Sequence, residues 1–252
     1  MAVHALVSAG GSPGVTTAAL ALTLTWPGPA MLAECDPSGG DIMAGLLAGQ
    51  APGQLGILHL AAAAGGGPGV LTATLADQLV TLDQHQDRTL LPGIADPRQA
   101  RSLGPSWPAI ASLLAGQDCD VIADCGRLDD ADRQPLPVLE VAAGVALVVR
   151  PTLRQVARAS SRVAQLAELL GGTSRLRLLV TGPGSYQPRE IAEQLGLAVA
   201  GVLPGDTRTA GLLSDGQGRR SGLAARPLIR SARAAARTWR QAAPAPALGA
   251  RR

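Results

Sequence analysis

Short continuous apolar runs alternate with amphipathic stretches along most of the chain. The apolar runs predict buried strands, and they lie at 3–8, 30–35, 88–91, 120–124, 145–149, 176–181 and 197–202. The stretches between them predict helices, at 15–25, 41–48, 53–64, 107–115, 152–170, 188–195 and 222–240. Because strands that alternate with helices form βαβ units, the pattern predicts an α/β fold of three layers with a mostly parallel sheet.

The pattern continues to the end of the last predicted helix with no linker and no internal repeat. We therefore expect residues 1–242 to form one domain and 243–252 to form a flexible C-terminal tail. The glycine run at 65–69 is expected to be the most flexible internal loop, and the polar stretch 128–137 an exposed loop. With 252 residues and 46% hydrophobic content, the chain is long enough for one substantial core.

A glycine-rich segment, AGGSPGVTT at 9–17, separates the first predicted strand from the first predicted helix. In this context the backbone N–H groups of a loop and the positive end of the helix dipole bind phosphate. The common phosphate-loop signature is G-x-x-x-x-G-K-[ST]. Here Val15 occupies the lysine position and Ala9 the first glycine. The chain contains no lysine, since all 22 basic residues are arginine, but neither loop position is arginine either.

The segment resembles the deviant Walker A loop of the ParA/MinD family (GKGGxGKTT), including its CpaE/TadZ-like branch. Gly11, Gly14, Thr16 and Thr17 match that pattern, Ser12 stands at a glycine, and Gly10 and Val15 replace its two lysines. Further segments similar to the family follow in family order over roughly residues 3–240. They are MLAECDPSGG at 31–40, the Walker B-like DVIADCG at 120–126, VALVVRP at 145–151 and GVLPGD at 201–206.

The resemblance implies a P-loop NTPase fold that binds ATP and Mg²⁺. It places the nucleotide on Gly10, Gly11, Ser12, Gly14, Val15, Thr16 and Thr17. It implies that Thr16 and Asp124 hold the metal and that the catalytic residue Asp36 orients the attacking water. It also places Thr181 where many members carry an asparagine that reads adenine. The alternative for each aspartate is a cap on the turn that follows its strand.

The missing lysines lead us to expect weak nucleotide binding and little or no ATP hydrolysis. A lysine about 4 Å from a phosphate is worth about 4 kcal/mol at an effective dielectric constant near 20, and half of that is roughly thirtyfold in affinity. The resemblance implies a homodimer that acts in spatial organisation, either chromosome or plasmid partitioning or the positioning of pilus or secretion machinery. One alternative is an active ATPase that uses a substitute arginine.

Another alternative is a binding module that needs no nucleotide. Five arginines recur at helical spacing on one face of the last predicted helix: Arg226, Arg230, Arg233, Arg237 and Arg240. They are either a solvated basic face or a docking strip for DNA, an acidic protein or an anionic membrane surface. Residues 175–252 contain 13 arginines and four acids, which favours an acidic partner. A lesser strip is Arg150, Arg154, Arg158 and Arg162.

The remaining residue types point to a cytoplasmic protein. The three cysteines form no C-x-x-C pair, which fits a reducing compartment, and Cys35 and Cys125 are expected to be small buried apolar residues. The N-terminus has no charged segment typical of a signal peptide. No apolar run reaches the roughly 18 residues of a transmembrane helix. The three histidines are scattered, and none has the spacing of a metal or catalytic site.

Overall fold

A computed structural model describes residues 1–47, 55–129, 134–216 and 222–242. These ranges contain one eight-stranded sheet in the order β3-β4-β2-β5-β1-β6-β7-β8, in which only β3 runs antiparallel to its neighbour. The strands are β1 Val3–Ser8, β2 Ala30–Glu34, β3 Val80–Thr81, β4 Arg88–Leu91, β5 Asp120–Arg127, β6 Gly144–Val149, β7 Leu176–Thr181 and β8 Ala198–Leu203. The predicted mostly parallel α/β sheet is confirmed.

Helices cover both faces of the sheet. The helices are α1 Val15–Thr25, α2 Ile57–Ala63, α3 Pro68–Gln78, α4 Ala100–Leu103, α5 Trp107–Ala115, α6 Leu136–Val141, α7 Leu153–Leu170, α8 Pro188–Leu195, α9 Thr207–Asp215 and α10 Pro227–Ala242. Apolar residues of α1, α9 and α10 form one core, and those of α2 to α8 form the other. None of the described helices combines the length and apolarity needed to span a bilayer.

The central strands read as continuous apolar runs because both of their faces are covered. In β6, Val145, Leu147 and Val149 belong to one core, while Ala146 and Val148 belong to the other. Parallel strands buried on both sides lose the alternation of an exposed sheet. This arrangement also brings the carboxyl ends of β1, β2 and β5 together, since Asp124 is in register with both Leu6 and Glu34.

Three sequence predictions of local structure were wrong. Residues 42–47 form turns rather than the helix predicted from Asp41. The reason is that the Glu34 carboxylate accepts from the Ile42 amide at 3.1 Å and from the Gly93 amide at 3.1 Å, which fixes this segment across the sheet end.

The glycine run at 65–69 is also not a loop throughout. Residues Ala64–Gly66 form a 3₁₀ turn, and α3 begins at Pro68, because proline is well suited to the first turn of a helix. Helix α6 begins at Leu136, inside the stretch predicted to be an exposed loop. The short β3 and helix α9 were not predicted. The predicted tail 243–252 lies outside the described residues.

At the amino ends of the strands, Asp120 connects α10 to the sheet. Its carboxylate accepts from the Ala2 amide, from Trp26 Nε1 and from Arg240 Nε, each at 2.9 Å. Burial opposes ionisation of this group, but the hydrogen bonds and the nearby charges give it a net lowered pKa. His4 lies between the rings of Trp26 and Trp239, and burial lowers its pKa to about 4.

Candidate nucleotide-binding site

The loop between β1 and α1 forms one wall of a cavity of about 770 Å³ at the carboxyl ends of the strands. Six of the seven predicted nucleotide-binding residues line it, namely Gly11, Ser12, Gly14, Val15, Thr16 and Thr17, together with Pro13 and Leu20. The seventh, Gly10, does not line the cavity. Within the described chain, the amides of Val15, Thr16 and Thr17 donate to no protein acceptor. These free donors at a helix N-terminus are suited to an anion such as phosphate.

Val15 lies at the cavity wall but directs most of its surface into the protein. Its exposed fraction is 7%, and it belongs to the core that α1 shares with α9 and α10. The residue at the lysine position is therefore an apolar packing residue that brings no charge to the cavity.

Asp124 is fully buried next to this loop, at 1% exposure. Burial raises its pKa to about 7, and the nearby Asp36 and Glu34 carboxylates act in the same direction. Hydrogen bonds from the Thr16 side chain and from the Gly126 amide, at 3.1 Å, partly oppose this shift. The two residues predicted to hold Mg²⁺, Thr16 and Asp124, are thus in contact.

Asp36 lies over Gly126, near the carboxyl end of β5. A Cβ atom built on Gly126 would lie 2.0 Å from the Asp36 carboxyl carbon, and Gly126 has φ +63°. Only glycine fits there, because a side chain would both collide with the carboxylate and strain the backbone. Burial raises the pKa of Asp36, although the Ser38 amide donates to its Oδ1 at 2.7 Å. Asp36 also lines the cavity.

These groups have the chemistry that Mg²⁺ and a polyphosphate require. Mg²⁺ prefers hard oxygen ligands and commonly combines one or two protein oxygens with water and substrate phosphate. The described residues contain no group of three or more His, Cys, Asp or Glu side chains placed to bind a metal ion. Phosphate oxygens and water would therefore have to complete a metal site begun by Thr16 and Asp124.

Solved structures with the same architecture are numerous. They include a ParA family ATPase from Chlorobium tepidum TLS, which is 19% identical and has a TM-score of 0.73, with 93% of this chain and 97% of that chain covered. The septum site-determining protein MinD complexed with Mg-ADP from Pyrococcus horikoshii OT3 is 17% identical, with a TM-score of 0.69 and coverages of 92% and 94%. The cell division ATPase MinD of Pyrococcus furiosus is 15% identical and has a TM-score of 0.74, with 95% of this chain and 98% of that chain covered.

This chain has the ParA/MinD fold. No family model matches it, and no curated protein matches it in sequence. The likeness therefore extends over nearly the whole chain in three dimensions while the sequence has diverged far. The ParA/MinD resemblance found in the sequence is confirmed at the level of the fold.

Sequence reasoning missed several residues that shape the site in this ParA/MinD fold. Thr181, which the resemblance places where many members carry an adenine-reading asparagine, donates its hydroxyl to the Pro13 carbonyl at 2.7 Å and so fixes the loop. Leu213, Ser214 and Asp215 of α9 line the cavity, and no motif marks them. From α7, the Gln155 side chain packs on Gly11 and the Arg158 side chain on Gly10. The four-residue arginine spacing was the available signal for Arg158.

The residues of the predicted arginine strip are not uniformly free. Arg240 pairs with Asp120 at 2.9 Å and donates to the Pro27 carbonyl at 2.5 Å. Arg226 precedes α10. Burial raises the pKa of nearby Asp206, but hydrogen bonds from Thr209 and, to a lesser extent, the Arg226 charge give a net lowered pKa. Arg230 and Arg237 are exposed on α10, and Arg233 is half-buried. Binding of DNA or an acidic protein by this strip stays a prediction.

Cys35 and Cys125 lie at the strand ends beside the two aspartates, and both are buried. The contact with Cys35, followed by burial, raises the pKa of the Cys125 thiol well above its usual value. The position of Cys125 therefore does not favour a reactive thiolate. Their burial agrees with the prediction that they pack as small apolar residues.

Proposed function

We propose that this protein is a ParA/MinD-type organiser that binds ATP with Mg²⁺ weakly and hydrolyses it slowly or not at all. Its cellular role would be spatial organisation, in partitioning or in positioning pilus or secretion machinery, and it would act as a homodimer. The observation that carries this proposal is a cavity lined by a glycine loop with free amides, in which buried Val15 fills the lysine position. Solved relatives in fold include a MinD complexed with Mg-ADP.

The proposed roles of the residues are those that the family resemblance implies. The free amides at the start of α1 would bind phosphate oxygens, and Thr16 and Asp124 would hold the metal. Bound Mg²⁺ would supply positive charge where the loop has no lysine. Asp36, half-buried over Gly126 and facing the cavity, would orient a water molecule. An Asp36 carboxyl whose pKa is raised is a better proton acceptor than an ordinary aspartate.

Calorimetric titration with ATP and ADP, each with and without Mg²⁺, tests the nucleotide part of the proposal. We expect dissociation constants in the micromolar to millimolar range for the natural protein and a lost Mg²⁺ effect in Asp124→Asn. Asp77→Asn, an exposed change on α3, is the control and should bind as the natural protein does. Absence of binding at millimolar nucleotide would remove nucleotide from the proposed function.

The organising role needs a cellular test. A fluorescent fusion expressed in the source cells should form foci or gradients, and Asp124→Asn should disperse them if the nucleotide state controls assembly. A uniform distribution of the natural protein under all growth conditions would contradict the proposed role, whatever its nucleotide affinity.

A further inference from the structure

The glycine loop is in direct contact with two side chains of α7. A Cβ atom built on Gly10 would lie 3.1 Å from both Cδ and Nη1 of Arg158. A Cβ on Gly11 would lie 2.4 Å from Nε2 of Gln155. A side chain at position 10 would therefore touch the Arg158 side chain, which would have to shift by a few tenths of an ångström. The bare Cα of Gly10 lets an arginine from another element approach the loop closely.

The charge of Arg158 is available for a ligand. In the part of the chain that the structure describes, its guanidinium has no ion pair and no hydrogen-bond acceptor. The residue is exposed at the loop, whereas Gln155 beside it is buried at 6% exposure. An unpaired guanidinium is a strong ligand for phosphate because its planar fork donates two parallel hydrogen bonds.

We infer that Arg158 is the phosphate-binding cation of this loop, supplied by α7 in place of the absent loop lysines. The inference rests on the proposed nucleotide binding and names the residue that supplies the positive charge missing from the loop. Arg158 lies on the outer side of the loop, since it packs on Gly10 and neither residue lines the cavity. It reaches phosphate either by turning around the bare Cα of Gly10 or by meeting the nucleotide held by a second copy of the chain.

The test is titration of the full chain with Mg-ATP and Mg-ADP in Arg158→Met, which keeps the apolar stem over Gly10 and removes only the charge. Arg154→Met, one turn earlier on the same exposed face of α7, is the matched control. We expect Arg158→Met to weaken Mg-ATP binding by about tenfold or more. The Mg-ADP titration shows whether the terminal phosphate of ATP is needed for this effect. Arg154→Met should stay within about twofold, and Arg158→Lys should recover much of the affinity.

Equal thermal unfolding of the ligand-free variants separates a charge effect from a structural one. Equal affinities for Arg158→Met and Arg154→Met, with good binding by the natural protein, would overturn this inference and leave the proposed function standing. No binding by the natural protein would overturn both.

A mixing experiment shows whether Arg158 contacts the nucleotide of its own chain or that of a second copy. Arg158→Met is titrated after addition of an Asp124→Asn chain, which keeps Arg158 but has a crippled metal site. Recovered Mg-ATP affinity would support the inference with Arg158 acting on the nucleotide of a second copy. A loss that persists in the mixture would support it with Arg158 acting within its own chain.

Discussion

Replacing the buried Asp124 by asparagine should stabilise the ligand-free protein at neutral and alkaline pH. The carboxyl is 1% exposed and its pKa is about 7, raised first by burial and further by the neighbouring acids. An aspartate in the unfolded chain has a pKa near its ordinary value. Between these two values the folded state binds more protons than the unfolded state, so stability falls as the pH rises through this window.

The size of the effect follows from the shift. Because its pKa is raised in the folded state, Asp124 lowers the free energy of unfolding by about 4 kcal/mol at about pH 8 and by about 2 kcal/mol at about pH 5. Asparagine is neutral at every pH and can still accept from the Gly126 amide and the Thr16 hydroxyl. The stability difference between Asp124→Asn and the natural protein should therefore grow by about 2 to 3 kcal/mol over this range.

Urea denaturation of both proteins without nucleotide or Mg²⁺, at several values between about pH 5 and pH 8, measures this difference. Subtraction removes the contributions of the other titrating groups, and the exposed Asp77→Asn is the control expected to show a flat difference. A difference for Asp124→Asn that does not change with pH would refute the assignment of the shift to this carboxyl. Added Mg-ATP should stabilise the natural protein and leave Asp124→Asn nearly unchanged.

Three other substitutions test separate parts of the structure. Gly126→Ala places a Cβ 2.0 Å from the Asp36 carboxyl carbon at φ +63°, so urea denaturation should show a loss of at least about 1 kcal/mol, and an unchanged midpoint would contradict the close approach. Val15→Lys puts an ammonium at the cavity wall and should tighten Mg-ATP binding by roughly thirtyfold in calorimetry; an unchanged affinity in a folded variant would show that the cradle is not a phosphate site. His4 has a pKa lowered to about 4 by burial, so the folded state binds fewer protons than the unfolded state and loses stability as the pH falls from about 6.5 to 4. His4→Phe should reduce the fall in unfolding free energy over this pH range by about 3 kcal/mol. Urea denaturation that shows the same pH dependence in both proteins would contradict the lowered pKa of His4.

The fold was predictable because its main signals are local. Continuous apolar runs such as that of β6 mark strands covered on both faces, and Gly171 after α7 marks a helix end, with φ +68°. The loop, the two aspartates and their order were also predictable from short motifs.

What could not be predicted depends on contacts between distant residues. The turn at 42–47 has a helical pattern, but the long-range hydrogen bond from its Ile42 amide to Glu34 fixes another conformation. The sequence shows that Gly10 replaces a lysine of the family pattern, but it does not show that Arg158, 148 positions later, packs on it. Arg240 likewise looked like one of five equivalent strip residues until its bond to Asp120 appeared.

Strand β5 shows why residue type alone does not assign a role. Its two aspartates, Asp120 and Asp124, are four residues apart and both nearly inaccessible to water, at 4% and 1% exposure. Asp120 accepts from Trp26, Arg240 and the Ala2 amide, and its pKa is lowered despite burial. Asp124 faces other carboxylates across the strand ends, and its pKa is raised. The first carboxylate is satisfied within the protein and joins α10 to the sheet. Among the described residues no cation offsets the charge of the second carboxylate, which is why we propose that Asp124 holds a metal ion with its bound phosphate.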